Sequence, residues 1–226
     1  MSERIKKKDL KKPDQLQTTT AKLVEYAREH KPKIIAGSAA FLLIVLLVSG
    51  WYVYGAYNEK KAQDLLGKAM LFPPASAATQ EVVSRQALDK YKDIIDKYPG
   101  TDAANLSRYS LGTLYYRLND FDNAIKSYEE FLSKARANEL VALAYSGLAY
   151  CYEAKGDFSN ARKYFDESAR DPNGAAFRGT AFLNSGRMAE QLKDGKGAIE
   201  SYKKALESKN DPVTEMFLKR KVSELE

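Results

Sequence analysis

The sequence predicts an all-α protein: an N-terminal transmembrane helix, then an α-solenoid of about 3 to 4 helical hairpins closed by a C-terminal capping helix. Three observations carry that expectation. Residues 34–57 form an apolar run without a charge. Downstream, one pattern returns at a constant step of 37 residues. Within each copy, apolar residues fall at helical spacing on either side of a short turn. The expected divisions are a basic cytoplasmic tail over 1–33, the span over 34–57, the repeat domain over 58–212 and the cap over 213–226.

The tail comes first. Residues 1–33 hold ten Lys or Arg against five Asp or Glu, whereas the remaining 193 residues hold 26 against 25. The net charge of +6 therefore belongs mainly to the tail, and a remainder of net charge +1 beside a membrane span argues against a nucleic-acid partner. Within the tail, KKKDLKKPD reads as flexible and basic, suited to anionic lipid or to fixing topology. TTTAKLVEYAREH reads as a short helix with Thr18 to Thr20 as its caps. His30 follows as a solvated residue beside the membrane.

The run IIAGSAAFLLIVLLVSGWYVYGAY has 24 residues. At ~1.5 Å rise per residue it exceeds the ~30 Å hydrocarbon layer. Trp51, Tyr52, Tyr54 and Tyr57 gather at its C-terminal end, where amphipathic rings favour the headgroup boundary, and Pro32 precedes it where a helix begins. A cleaved secretory signal is the competing reading. The long n-region, the length of the apolar core and the lack of a convincing A-x-A site after it favour an uncleaved anchor. Four Lys or Arg lie in the fifteen residues before the span and three in the fifteen after it. The six further cations of MSERIKKKDLKK place the N-terminus in the cytoplasm and the bulk of the chain outside it.

The repeat is visible when LNDFDNAIKSYEEF, KGDFSNARKYFDES and LKDGKGAIESYKKA are aligned. Ala124, Ala161 and Ala198 coincide, as do Asp120, Asp157 and Asp194, then Tyr128, Phe165 and Tyr202. One further step back reaches Ala87 and Tyr91, a more degenerate copy. Upstream of each marker alanine in the three strong copies lies a second aromatic-rich run. Each unit is thus two amphipathic helices joined by a tight turn. Small residues at Gly112, Ala149 and Gly186 allow close approach, and Phe121, Phe158, Tyr128, Phe165 and Tyr202 fill the remaining volume. No such hairpin hides its apolar face alone, so stacking makes the core. The closing stretch places Met216, Phe217, Leu218, Val222 and Leu225 at helical spacing, as expected of a cap.

These residues resemble the tetratricopeptide repeat. Leu111, Gly112, Tyr115, Ala124 and Tyr128 follow its pattern in one unit, and Leu148, Ala149, Tyr152, Gly156, Ala161 and Phe165 in the next. Ala87, Tyr91 and Pro99 follow it in the degenerate copy. The last copy departs, with Ser185 and Ala189 in place of Leu and Tyr and Gly195 in place of Phe, which predicts looser packing there. The step of 37 against the family's usual spacing of about 34 implies extra residues in the links between units. The whole plan, a basic tail, one span and a few divergent repeats, is similar to the ancillary subunits of the bacterial Sec translocon. That likeness implies residence in the bacterial inner membrane with a periplasmic repeat domain, and partners among translocon components and periplasmic chaperones.

No catalytic constellation accompanies this plan. The chain has one His and one Cys, and it lacks G-x-x-x-x-G-K-[ST], H-E-x-x-H and C-x-x-C. No cofactor, no metal and no enzymatic activity are expected. Cys151 sits among apolar neighbours as a core filler, and DGKGA reads as a turn between paired helices. What remains is surface. The resemblance implies that the first helix of each unit lines a concave groove. Its positions here are Tyr109, Thr113, Tyr116 and Arg117, then Leu143, Tyr150 and Glu153, then Leu183, Arg187 and Glu190. Tyrosine and arginine are the residues that anchor protein interfaces, so the expected partner is a protein or peptide. The alternative is a scaffold that self-associates in envelope assembly or cell division.

Overall fold

The structure, a computed structural model, describes residues 15–70, 77–136, 138–208 and 210–226. Among these residues there are ten α-helices, one short 3-10 segment and no strand. The chain divides into two units, residues 1–56 and residues 57–226. The basic run KKKDLKKPD lies outside the described residues.

The first unit contains α1 (Gln15–Glu29) and the opening part of α2 (Lys31–Met70). Helix α1 starts at Gln15, so Thr18 to Thr20 stand inside it and do not cap it. Three threonines carry only a weak propensity penalty, and the stronger helix formers around them extend the helix through them. Helix α2 is long and apolar enough to cross a membrane. Its apolar side chains through Tyr54, with Trp51 and Tyr52 among them, are exposed.

The second unit is a row of helical hairpins. The end of α2 supplies Ala62, Leu66 and Ala69, which bury with Ala87, Leu88, Tyr91 and Ile94 of α3 (Ala77–Lys97). Three further hairpins follow: α4 (Asp102–Arg117) with α5 (Phe121–Lys134), α6 (Glu139–Ala154) with α7 (Phe158–Arg170), and α8 (Arg178–Gln191) with α9 (Gly195–Leu206). Helix α10 (Pro212–Leu225) closes the row. Glu59 ties the first pair to the next, its carboxylate accepting from the Asp102 and Ala103 amides at 2.7 and 3.2 Å, where the positive end of α4 favours an anion.

The hairpin turns are built alike. The second residue past the end of each first helix has a positive φ: 59° at Asn119, 76° at Gly156 and 59° at Lys193. The next residue, Asp120, Asp157 or Asp194, returns its amide to a carbonyl five residues back at 2.9 Å, those of Tyr115, Tyr152 and Ala189. Its carboxylate then caps the second helix by accepting from the amide of Asn123, Asn160 or Gly197. The recurring aspartate of the sequence is therefore the helix start signal. DGKGA, expected as the turn itself, is instead the start of α9: Asp194 is its cap, also 2.6 Å from Arg162 of α7, and Gly195 to Ala198 are its first helical turn. The added length of the repeat falls in the links, where residues 135–138 join α5 to α6 and a 3-10 segment, Pro172–Phe177, leads into α8.

The marker alanines 124, 161 and 198 are fully buried, as are Phe165 and Tyr202, with Tyr128 nearly so. What the small residues accommodate is the ring. A Cβ built on Gly112 would meet the Tyr128 ring at 2.7 Å, and one on Gly147 of the next hairpin would meet its far edge at 2.5 Å. The ring is held between glycines of successive repeats. A Cβ on Gly186 would stand 2.5 Å from Tyr202.

Two expectations need correction. The last hairpin is not looser: Ala189, Ala198, Tyr202 and Ala205 are all fully buried. Ser185, in place of the usual leucine, donates to Asp166 of α7 at 2.6 Å, and Leu218 and Val222 of α10 supply the missing apolar volume. On the cap, Leu218 and Val222 face the core, but Met216 is 68% exposed. Two helical positions before Leu218 is nearly the opposite face of the helix.

Gly112 and Gly67 separate packing from helix propensity. Alanine gains about 1 kcal/mol over glycine in a helix interior, whereas overpacking costs about 1–3 kcal/mol. Gly67, near the end of α2, has nothing within 4 Å of a Cβ. Urea denaturation is expected to show Gly67→Ala stabilised and Gly112→Ala destabilised.

Candidate functional site

The first helices of the hairpins, α4, α6 and α8, stand side by side, α4 in direct contact with α6. Their facing side chains form a continuous row. The Tyr116 ring lies 6.5 Å from that of Tyr150. The Tyr150 hydroxyl accepts from Asn184 Nδ2 at 2.9 Å, and Asn184 Oδ1 accepts from Arg187 Nη1 at 2.9 Å. Arg187 Nη2 reaches back to Glu153 Oε1 at 3.1 Å. At the far end, Glu190 accepts from the Tyr202 hydroxyl and from Lys221 of α10, both at 3.0 Å.

One slot recurs in this row. Tyr116, Glu153 and Glu190 are equivalent positions in successive repeats, and each meets the next helix in line, at Tyr150, Arg187 and Lys221 respectively. The first slot is filled by two rings and the other two by ion pairs. The row is thus aromatic at one end and charged but self-neutralised at the other.

The ten groove positions expected from the sequence divide by environment. Tyr109 turns into the core, its ring 5.8 Å from Tyr128 and 5.5 Å from Phe131. Thr113 lies 3.2 Å from the Tyr128 hydroxyl, and half-buried Leu183 packs against the core around Tyr202. Tyr116, Tyr150, Glu153, Arg187 and Glu190 make the row, and half-buried Leu143 stands on α6. Arg117 is exposed with no side-chain partner among the described residues. Burial pushes the phenols of Tyr109 and Tyr116 above their ordinary range, so neither contributes charge near neutrality.

Asn184 and Lys221 belong to the row and escape a reading of repeat positions alone. Asn184 lies one helical turn before Arg187, which was the available signal. Lys221 sits on the cap, outside the repeat register, and only the fold brings it to Glu190.

Among the described residues no three His, Cys, Asp or Glu side chains gather as metal ligands. The thiol of buried Cys151 is pushed up to about 12 by desolvation, which leaves it a packing group. The geometry is that of a helical-repeat interaction surface. The chain belongs to the tetratricopeptide repeat-like domain family, which matches residues 32–226. No curated protein matches it. Among solved structures, MamA is similar over 69% of this chain and 90% of its own, with 16% identity and a TM-score of 0.52. The N-terminal domain of stress-induced protein-1 (STI-1) from C. elegans is similar over 54% of this chain and 94% of its own, with 20% identity and a TM-score of 0.48. The MamA likeness is one of fold. Repeats of this class are protein-protein interaction modules.

The ion pair in the row is partly exposed, with Arg187 at 46% and Glu153 at 24%. Such pairs couple by at most about 1 kcal/mol. A double-mutant cycle of Glu153→Gln and Arg187→Gln, read by urea denaturation, is expected to stay within that bound.

Proposed function

We propose that the protein is a non-catalytic, single-pass membrane module that binds polypeptide along the row formed by α4, α6 and α8. The span over residues 34–57 anchors it in the bacterial inner membrane, with the N-terminus cytoplasmic and the repeats periplasmic. Its role is to hold translocating chains, or the chaperones that receive them, beside the Sec translocon. The observation that carries the reading is the row itself, in which partly exposed Tyr116 and Tyr150 meet, while Arg117, which follows Tyr116 on α4, is an exposed cation without a side-chain partner among the described residues. Tyrosine and arginine combine apolar area with directed donors, the combination that anchors interfaces. Confinement to the membrane plane would raise the effective concentration of such a surface near a membrane machine. The charged end of the row is already satisfied by its own ion pairs, so the Tyr116, Arg117 and Tyr150 end carries the affinity.

Replacing Tyr150 with a photo-crosslinking phenylalanine in membranes is expected to trap polypeptide partners, translocon or chaperone components among them, and Arg117→Glu is expected to reduce the yield several-fold. Equal trapping with Arg117→Glu contradicts groove binding. Trapping only of a second copy of the chain favours the self-associating scaffold.

A further inference from the structure

Helix α1 has a use that the repeat domain does not supply. From Lys22 onward all its side chains to Glu29 are exposed, with Leu23, Val24 and Tyr26 at 63%, 62% and 59%. Placed on a helix of about 3.6 residues per turn, these residues separate cleanly. Leu23 and Ala27 lie on one line, with His30 continuing it just past the helix end and Tyr26 and Val24 on either side. Beyond Tyr26 comes Lys22, and beyond Val24 comes Arg28. Glu25 and Glu29 occupy the opposite face. The cations thus border the apolar face, while both acids stand away from it.

That order matches one occupant. At a bilayer surface the apolar face enters the acyl boundary, the bordering cations extend their stems across it to reach phosphate, and the acids face water. A protein groove or a second copy of the helix gives no reason for cations on both borders and acids only opposite. Position agrees. His30 is the one residue between α1 and α2, its ring stacked on Tyr26 at 4.3 Å between centroids. Pro32 then stands in the first turn of the helix long enough to span, and its missing N–H leaves the Arg28 carbonyl without a helical donor, a break of the kind at which helices bend.

We propose that α1 lies along the headgroup layer on the N-terminal side of the membrane, turned onto it at His30 to Pro32 and seated by Leu23, Val24, Tyr26 and Ala27 with Lys22 and Arg28 on phosphate. This inference rests on the reading of α2 as a span.

The test uses the full chain in phosphatidylcholine and phosphatidylglycerol vesicles, with nitroxides on single cysteines at Leu23, Glu25, Ala27, Glu29 and Ile44. Buried Cys151 does not compete for the label. Collision with oxygen is compared with collision with a water-soluble nickel chelate. The expected result is Ile44 deep, Leu23 and Ala27 several-fold richer in oxygen collisions than Glu25 and Glu29, and loss of that contrast at Ala27 in a Leu23→Asn, Val24→Asn variant while Ile44 stays deep. Ile44 deep with all four α1 positions equally aqueous, or equally deep, overturns the inference and leaves the span intact. Protection at Leu23 and Ala27 from both reagents assigns the face to a protein and also overturns it. An aqueous Ile44 overturns the span, and the inference with it.

Discussion

The ring of Tyr128 is the contact on which the repeat unit depends. It fills the space between Gly112 in its own hairpin and Gly147 in the next, at distances that leave no room for a methyl on either. Its hydroxyl meets Thr113 at 3.2 Å, so the ring is fixed in depth as well as laterally. A side chain held by two successive hairpins makes each of them part of the other's interior, which is the condition for a stack without private cores. Phe165 and Tyr202 occupy the same place in the following repeats, both with no exposed surface.

From this constraint the surface row follows. Close approach at the glycines brings the first helices near enough for Tyr116 to meet Tyr150 and for Glu153 to meet Arg187. The aspartate-capped turns then fix where each first helix ends and so the register at which neighbours face each other. Helix α10 completes the sequence of contacts twice over. Leu218 closes the last core, and Lys221 takes the partner position opposite Glu190 that a further repeat would otherwise have filled.

Much of this was legible in the sequence because the repeat imposes one environment on equivalent residues. The step of 37 picked out Ala124, Ala161, Ala198 and the three rings, all of which are buried. Gly147 was not legible, because it lies outside the repeating positions and serves one particular ring. Nor was the compensation around Ser185, since the hydrogen bond to Asp166 and the support from α10 are tertiary facts that no single repeat encodes. Among the groove positions, the sequence supplied the helix face but not the depth. Tyr109 and Tyr116 are both tyrosines on one helix, yet Tyr109 packs on Phe131 while Tyr116 meets the next hairpin. The partner of the first hairpin was hidden for a different reason: it is the end of the same helix that begins as the apolar run, so its Ala62, Leu66 and Ala69 carry no separate start signal.

Native-state hydrogen exchange at increasing urea measures most directly whether hairpins share an interior. The account requires that amides of α5, which carries the Tyr128 ring, and of α6, which receives it from the next hairpin, open together with one free energy and one urea dependence. If α6 keeps its protection while α5 exchanges through a separate, lower-energy opening, each hairpin has a core of its own and the account is wrong.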